Sequence, residues 1–167
     1  MNKFKISSCI QSLSKQHQDE LSWFRSFKSI NVLHKDIPNR NFSNTPKGIY
    51  VPKNNAYCLA AKKTLGDDYS DRDLLEPFFD SKGGWFYEYS PEKHEQGMTY
   101  YTNNGMLKSS KENIPIGFIF QTHNKKSNPA KITSYDVLGL ALVRYDGGNN
   151  IFKLYGFNND EVVFIPN

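Results

Sequence analysis

The chain is poor in the residues on which several common functions depend. It contains two cysteines, Cys9 and Cys58, without a CxxC pair and without a histidine at ligand spacing. Neither a disulfide scaffold nor a zinc site is therefore predicted. Four scattered histidines and the absence of P-loop, GxSxG, HExxH and deaminase motifs argue against the familiar enzyme classes. We expect no catalytic residues, no metal and no cofactor in this chain.

Long apolar runs are also missing. No apolar stretch approaches the roughly 20 residues that a membrane-spanning helix needs. The first nine residues, MNKFKISSC, lack the hydrophobic centre of a signal peptide. Together with two unpaired cysteines, these features predict a chain without membrane contact in a reducing, cytoplasmic location.

Aromatic residues are plentiful, and the charge is mildly basic. Twelve Phe, ten Tyr and two Trp in 167 residues argue for a folded core, although the mean hydropathy is −0.65. The length suits one domain. A formal net charge of +4 and a pI near 8.9 are compatible with nucleic-acid binding but do not require it.

An apolar stripe runs through the first third of the chain. Ser7 or Ser8 can cap a helix, and the stripe then comprises Ile10, Leu13, His17, Leu21, Phe24, Phe27 and Ile30 or Leu33. This three- and four-residue spacing predicts one long helix within residues 1–35 that packs on an end of the domain. A partner-binding helix is the alternative. Residues 36–47, rich in Pro and Asn, are predicted to be a linker.

Short strands dominate the prediction for residues 48–167. They are expected at 48–51, 56–62, 114–122, 134–144, 151–157 and 162–165, with another from Trp85 and a helical turn at 106–113. The acidic loop at 64–73 lacks the Gly and the terminal Glu of an EF-hand, so we interpret it as solvated. This pattern predicts an α+β fold with a small, curved, mostly antiparallel sheet or barrel.

The most patterned stretch is 83–106. Alternating aromatic residues end at Tyr89, and a polar loop containing Glu92 leads to Tyr101 and Thr102. Two rings with a carboxylate between them can hold a base, because stacking is worth roughly 1–3 kcal/mol and a carboxylate accepts from the amine of cytosine. The alternative is that these aromatic residues are ordinary core pairs.

Lysines in the predicted loops and at strand ends are candidates for contacts with DNA phosphates. They are Lys53, Lys62, Lys63, Lys108, Lys111, Lys125 and Lys126. Solvated surface positions are the plain alternative.

From about residue 48 to residue 157, the sequence resembles the SRA (SET- and RING-associated) domain, in the form fused to HNH nucleases in bacterial modification-dependent restriction enzymes. The family places a Tyr, an acid three residues later and a Tyr-Thr pair, matched by Tyr89, Glu92, Tyr101 and Thr102. The stretches IPIGFIFQ, SYDVLGLALVRYDGG and IFKLYGF resemble later strands of the family. The family usually has Asp where Glu92 stands, which predicts a retracted carboxylate or a wider pocket.

This resemblance implies a curved PUA-like β-barrel that flips 5-methylcytosine or 5-hydroxymethylcytosine out of duplex DNA. Tyr89 and Tyr101 would sandwich the base, Glu92 would accept from its N4 amine, and Thr102 would bind its edge. The chain would be the recognition module of a modification-dependent restriction system, with the nuclease on another domain or subunit.

Three other functions stay open on the sequence. One is a PUA-like reader of RNA or single-stranded nucleic acid. Another is an atypical nuclease or base-processing enzyme, and the third is a protein–protein module that uses the N-terminal stripe.

Overall fold

The computed structural model describes ten strands and three α-helices in residues 1–27, 29–33, 36–37, 42, 48–53, 55–64, 76–123 and 134–167. The elements are β1 (Asn2–Lys5), α1 (Ile6–Ile10), α2 (Lys15–Ser26), β2 (Ser29–Leu33), β3 (Ile49–Tyr50), β4 (Ala60–Lys63), β5 (Phe78–Phe79), β6 (Trp85–Tyr89), α3 (Tyr101–Glu112), β7 (Ile116–His123), β8 (Ser134–Asp146), β9 (Ile151–Phe157) and β10 (Val162–Ile165). No helix in these ranges is long and apolar enough to cross a membrane.

The larger sheet has eight strands, seven of which follow the order β3-β4-β7-β8-β9-β6-β5, while β2 also pairs with β8. All these pairs are antiparallel except β4 with β7. Strands β1 and β10 form a separate two-stranded sheet. The predicted α+β fold with a mostly antiparallel sheet is confirmed. Of the predicted curved sheet or barrel, a closed barrel is not found among the described strands, because β3 and β5 end the path unpaired with each other.

Strand β8 organises the large sheet because it pairs with three neighbours. Its first half lies between β7 and β2, and its second half pairs with β9. The change comes at Gly139, whose φ of +100° is a conformation that side-chain-bearing residues rarely adopt. A register shift accompanies it, because the consecutive residues Phe118 and Ile119 of β7 pair with Gly139 and Val137, which leaves Leu138 of β8 as the extra residue. Bulges of this kind bend a strand and increase its twist, so two strands can share one edge of β8.

The predicted single long N-terminal helix is not observed, and this is a correction. The first 33 residues form β1, α1, α2 and β2 instead. Ser14 accepts a hydrogen bond from the His17 N–H (3.2 Å) and so starts a new helix, which ends where Phe27 is extended. Periodicity alone does not reveal such a break, because apolar positions on both sides of it face the same core.

Two hydrophobic clusters lie on the two faces of the large sheet. Helix α2 covers one face, where Phe24 packs directly over Gly117 of β7, at which a Cβ would collide with the Phe24 ring. Helix α3 covers the other face through Met106. Of the apolar stripe of the N-terminal segment, Leu13, His17, Leu21 and Phe24 are buried, whereas Phe27 is 40% exposed.

The predicted strands after residue 84 are observed within a few residues of their expected ends. Helix α3 is longer than the helical turn predicted at 106–113, since it already begins at Tyr101. Of the predicted linker at 36–47, only Asp36, Ile37 and Phe42 are described, and Ile37 and Phe42 are buried. The acidic loop at 64–73 lies outside the described residues except for Thr64.

Candidate nucleic-acid interface

The loop that leads from Glu92 to Tyr101 is held by one buried side chain. Asn103 accepts a hydrogen bond from the Glu92 N–H (2.8 Å) and donates to the carbonyl oxygens of Glu92 (2.9 Å) and Gly97 (3.1 Å). Gly97 has a φ of +55° within this loop, a conformation that favours glycine. The spacing between the predicted acid and the predicted second Tyr is therefore fixed by the first turn of α3.

A cavity of about 650 Å³ lies between α3 and the segment after β3, and we call it the Tyr101 cavity. It is lined by Tyr50, Val51, Pro52, Lys53, Asn55, Ala56, Thr99, Tyr101, Asn104, Gly105 and Lys108. Tyr101 contributes an aromatic ring to this lining, and the residue is 54% exposed. An exposed ring beside a cavity is available for stacking in a way that a core tyrosine is not.

The predicted lysine contacts differ in their surroundings. Lys53 and Lys108 are exposed and line the Tyr101 cavity, whereas Lys111 is exposed on the next turn of α3 and does not line it. Lys62 and Lys63 are buried on β4, which does not match the exposed position that a phosphate contact requires.

The contacts of the Lys62 ammonium group explain how a lysine can be buried on β4. It donates to the carbonyl oxygen of Phe42 (3.4 Å) and lies 5.8 Å from the centre of the Phe42 ring. Burial lowers the pKa of Lys62 to about 8. Lys125 and Lys126 lie outside the described residues.

Tyr89 occupies the core and does not line the Tyr101 cavity. The residue is 5% exposed, and its ring packs near Tyr87 and Phe118 at centroid distances of 6.4 and 6.2 Å. Its hydroxyl donates to the carbonyl oxygen of Lys62 (3.0 Å) and fills the space that a side chain at Gly48 would need. The role of Tyr89 as one wall of a base sandwich stays a prediction, and it would require this ring to become accessible.

Glu92 and Thr102 lie on the inner side of the same region. Glu92 is half-buried, and its Oε1 accepts from the Ile49 N–H (3.1 Å). Burial, with a smaller contribution from the Glu92 carboxylate, raises the pKa of the Cys58 thiol. Glu92 therefore faces β3 and the interior. Thr102 is 1% exposed, and its Oγ1 has no hydrogen-bond partner among the described residues.

Helix α2 reaches the cavity through a pair that the sequence did not indicate. Asn55, which lines the cavity, places its Nδ2 2.7 Å from Nδ1 of His17, and its Oδ1 accepts from the Tyr57 N–H (3.2 Å). His17 is buried, and this burial lowers its pKa to about 4, so the ring is neutral at pH 7 and Nδ1 can accept. The only signal was a histidine within an apolar stripe.

An aromatic stack continues outward from the cavity. The His94 and Tyr100 rings are parallel within 8°, with centroids 3.9 Å apart, and Tyr100 meets Tyr101 edge-on at 5.0 Å. The stack supports Tyr101 from the side of the loop. No group of three or more His, Cys, Asp or Glu side chains suited to a metal occurs in the described part of the chain.

No protein-family model matches the chain, and a search of curated proteins finds no match. Among solved structures, the chain is similar to a "Modification dependent TagI restriction endonuclease", with 16% identity, a TM-score of 0.44 and coverage of 78% of this chain and 49% of that one. It is also similar to KRYPTONITE in complex with mCHH DNA, H3(1-15) peptide and SAH (13% identity, TM-score 0.40) and to KRYPTONITE in complex with mCHG DNA and SAH (13%, 0.34). Each KRYPTONITE match covers 90% of this chain and 39% of the other. The chain thus spans about half or less of the length of these proteins, and similarity at this level assigns no family.

Proposed function

We propose that this chain binds duplex DNA that carries 5-methylcytosine or 5-hydroxymethylcytosine and takes the modified base out of the duplex. The observation that carries the proposal is the exposed Tyr101 ring at a cavity whose rim bears Lys53 and Lys108. An aromatic face and nearby cations are the two features that bind a base together with its phosphates. The spacing of Tyr89, Glu92 and Tyr101 supports the choice of cytosine through the family resemblance.

The size and energetics of the cavity are compatible with this function. Its volume of about 650 Å³ falls within the roughly 300–1,000 Å³ that is common for small-molecule sites. Stacking of roughly 1–3 kcal/mol per base is comparable with the few kcal/mol that base extrusion costs. One open wall therefore offsets part of this cost, and phosphate contacts or a released Tyr89 ring would supply the rest.

Glu92 and Thr102 are proposed to read the edge of the base. A carboxylate has two acceptor oxygens, so Glu92 can keep its hydrogen bond with the Ile49 N–H and still accept from the N4 amine of cytosine. The Thr102 hydroxyl is free to donate or accept, because no described residue pairs with it. Neither group lines the cavity, so the base must displace part of the wall to reach them.

Within a whole protein, we propose a recognition role in a modification-dependent restriction system. DNA cleavage would come from a nuclease domain or subunit outside these residues, and the cytoplasm would be the place of action. Incubation of the chain with modified DNA and a divalent metal tests whether this chain itself cleaves DNA. Any cleavage would contradict it and would favour the atypical nuclease or base-processing alternative.

The central experiment compares duplexes of one sequence that carry cytosine, 5-methylcytosine or 5-hydroxymethylcytosine, at one salt concentration. We expect tighter binding of at least one modified duplex. Tyr101→Ala should weaken that binding by about 1 kcal/mol or more, roughly fivefold, whereas Phe78→Ala, which removes an exposed ring on β5, should not. Equal affinity for all three duplexes would refute the proposal, and preference for single strands or RNA would support the alternative reader.

A further inference from the structure

The charged side chains that line the Tyr101 cavity are positive. Lys53 stands on the wall that follows β3, and Lys108 stands on the wall formed by α3. None of the described residues that line the cavity is acidic. Two ammonium groups without a carboxylate at the same cavity favour an anionic ligand over a neutral or cationic one.

The other polar lining groups suit the edge of a heterocycle. Asn55 and Asn104 offer amide groups, each of which can both donate and accept hydrogen bonds. The Asn55 side chain is held in place by His17 of α2 and by the Tyr57 N–H. The aromatic face and the two amides suit the base of a nucleotide, and the two ammonium groups suit its phosphate.

The two walls are tied together near Gly105. A Cβ at this position would collide with the Val51 side chain, so glycine permits the close approach of α3 to the opposite segment. The Cys58 N–H donates toward the Gly105 carbonyl oxygen (3.3 Å) and the Ser109 Oγ (3.1 Å), which joins the walls again. The cavity is therefore present in the unbound chain, although a base that reaches Glu92 and Thr102 has to displace part of its wall.

We propose that the Tyr101 cavity binds a whole nucleoside monophosphate, with the base against Tyr101 and the phosphate between Lys53 and Lys108. The position of the base against Tyr101 rests on the proposed function. The new element is that the phosphate of the same nucleotide is held in the same cavity. The chain therefore binds the free 5′-mononucleotide of its preferred base without any duplex.

Calorimetric titration of the full 167-residue chain at one low salt concentration tests this inference. The ligands are 5-methyl-2′-deoxycytidine 5′-monophosphate, the corresponding nucleoside and inorganic phosphate. We expect the nucleotide to bind roughly tenfold more tightly than either of the others, because charge-assisted contacts add to stacking. Lys53→Ala and Lys108→Ala should each remove most of this advantage of the nucleotide over the nucleoside.

Lys111→Ala is the matched control, since Lys111 is exposed on the same helix and does not line the cavity. Equal affinities for nucleotide and nucleoside, or an effect of Lys111→Ala as large as that of Lys108→Ala, would overturn the inference. Phosphate that binds as tightly as the nucleotide would also overturn it, since the cavity would then be an anion site alone. Each of these three results leaves the proposed function standing if the duplex comparison still shows a preference for modified DNA.

Discussion

At the scale of single residues, Thr102 is unusual because its buried hydroxyl makes no hydrogen bond with the described residues. Such a group costs roughly 1–3 kcal/mol of folding free energy. Thr102→Val keeps the shape and removes the hydroxyl, so we predict an unchanged or higher free energy of unfolding. If Thr102 binds the base, affinity for modified duplex should nevertheless fall by roughly fivefold or more. Urea unfolding and duplex titration of the same variant measure the two effects.

Ser109→Ala is the control for this prediction, because Ser109 is also buried on α3 but accepts a hydrogen bond from the Cys58 N–H (3.1 Å). Its loss should destabilise the fold by about 1 kcal/mol and leave the discrimination between duplexes unchanged. If Thr102→Val destabilises the fold as much as Ser109→Ala does, the Thr102 hydroxyl has a structural role.

Substitution of Tyr89 distinguishes a role in core packing from a role in base stacking. Tyr89→Phe removes the hydrogen bond to the Lys62 carbonyl oxygen and keeps the ring, so we predict a loss of about 1 kcal/mol in the free energy of unfolding. The affinity of Tyr89→Phe for modified duplex should stay near the wild-type value if Tyr89 contributes only the face of its ring to DNA binding. A large loss of binding with little loss of stability would mean that the hydroxyl itself contacts DNA.

The sequence predicted the same role for Tyr89 and Tyr101, whereas the structure buries Tyr89 and exposes Tyr101, and the reason is physical. Residue spacing along a strand tells which side chains share a face, but it does not tell which face is covered. Trp85, Tyr87 and Tyr89 share the buried face of β6. The burial of Lys62 likewise depends on Phe42, 20 positions earlier, and no local pattern encodes that contact.

At the scale of elements, the N-terminal segment completes the sheets. Strand β1 pairs with β10, β2 pairs with β8, and Phe24 of α2 packs over β7. We predict that deletion of residues 1–35 abolishes folding, visible as loss of the cooperative transition in circular dichroism. The milder Phe24→Ala should lower the free energy of unfolding by about 3–5 kcal/mol. A deletion variant that folds and loses only a protein partner would favour the partner-binding alternative.

Elements that are defined by neighbouring residues were predicted well. The β8–β9 hairpin is an example, because the turn at 147–150 is built by Asp146, which accepts from the Asn149 N–H, and by Asn150 with a φ of +52°. Closure of a barrel instead depends on whether distant strands such as β3 and β5 meet. That depends on twist and on bulges such as the one beside Gly139 in β8, which leave little trace in composition.

At the scale of the whole molecule, stability should depend on pH through a few groups spread over the fold. Burial lowers the pKa of His17 to about 4, from about 6.5 when unfolded. Hydrogen bonds, mainly from Asn149 and also from Lys153, lower the pKa of Asp146 to about 2. Hydrogen bonds, mainly from Ser7 and also from Arg25, lower the pKa of Glu161 to about 2. In each case the unfolded chain binds more protons than the folded chain between the two pKa values. All three groups therefore destabilise the fold as the pH falls.

The pH ranges separate the histidine from the carboxylates. Between pH 6.5 and about 4 we predict a loss of at most about 3 kcal/mol from His17, and the carboxylates add their losses between about pH 4.5 and 2. His17→Gln keeps an acceptor for Asn55 but does not titrate, so its free energy of unfolding should be nearly flat from pH 6.5 to 5. Urea unfolding across this range checks the difference. A variant with the wild-type slope would show that another group titrates and that His17 is already solvated in the folded chain.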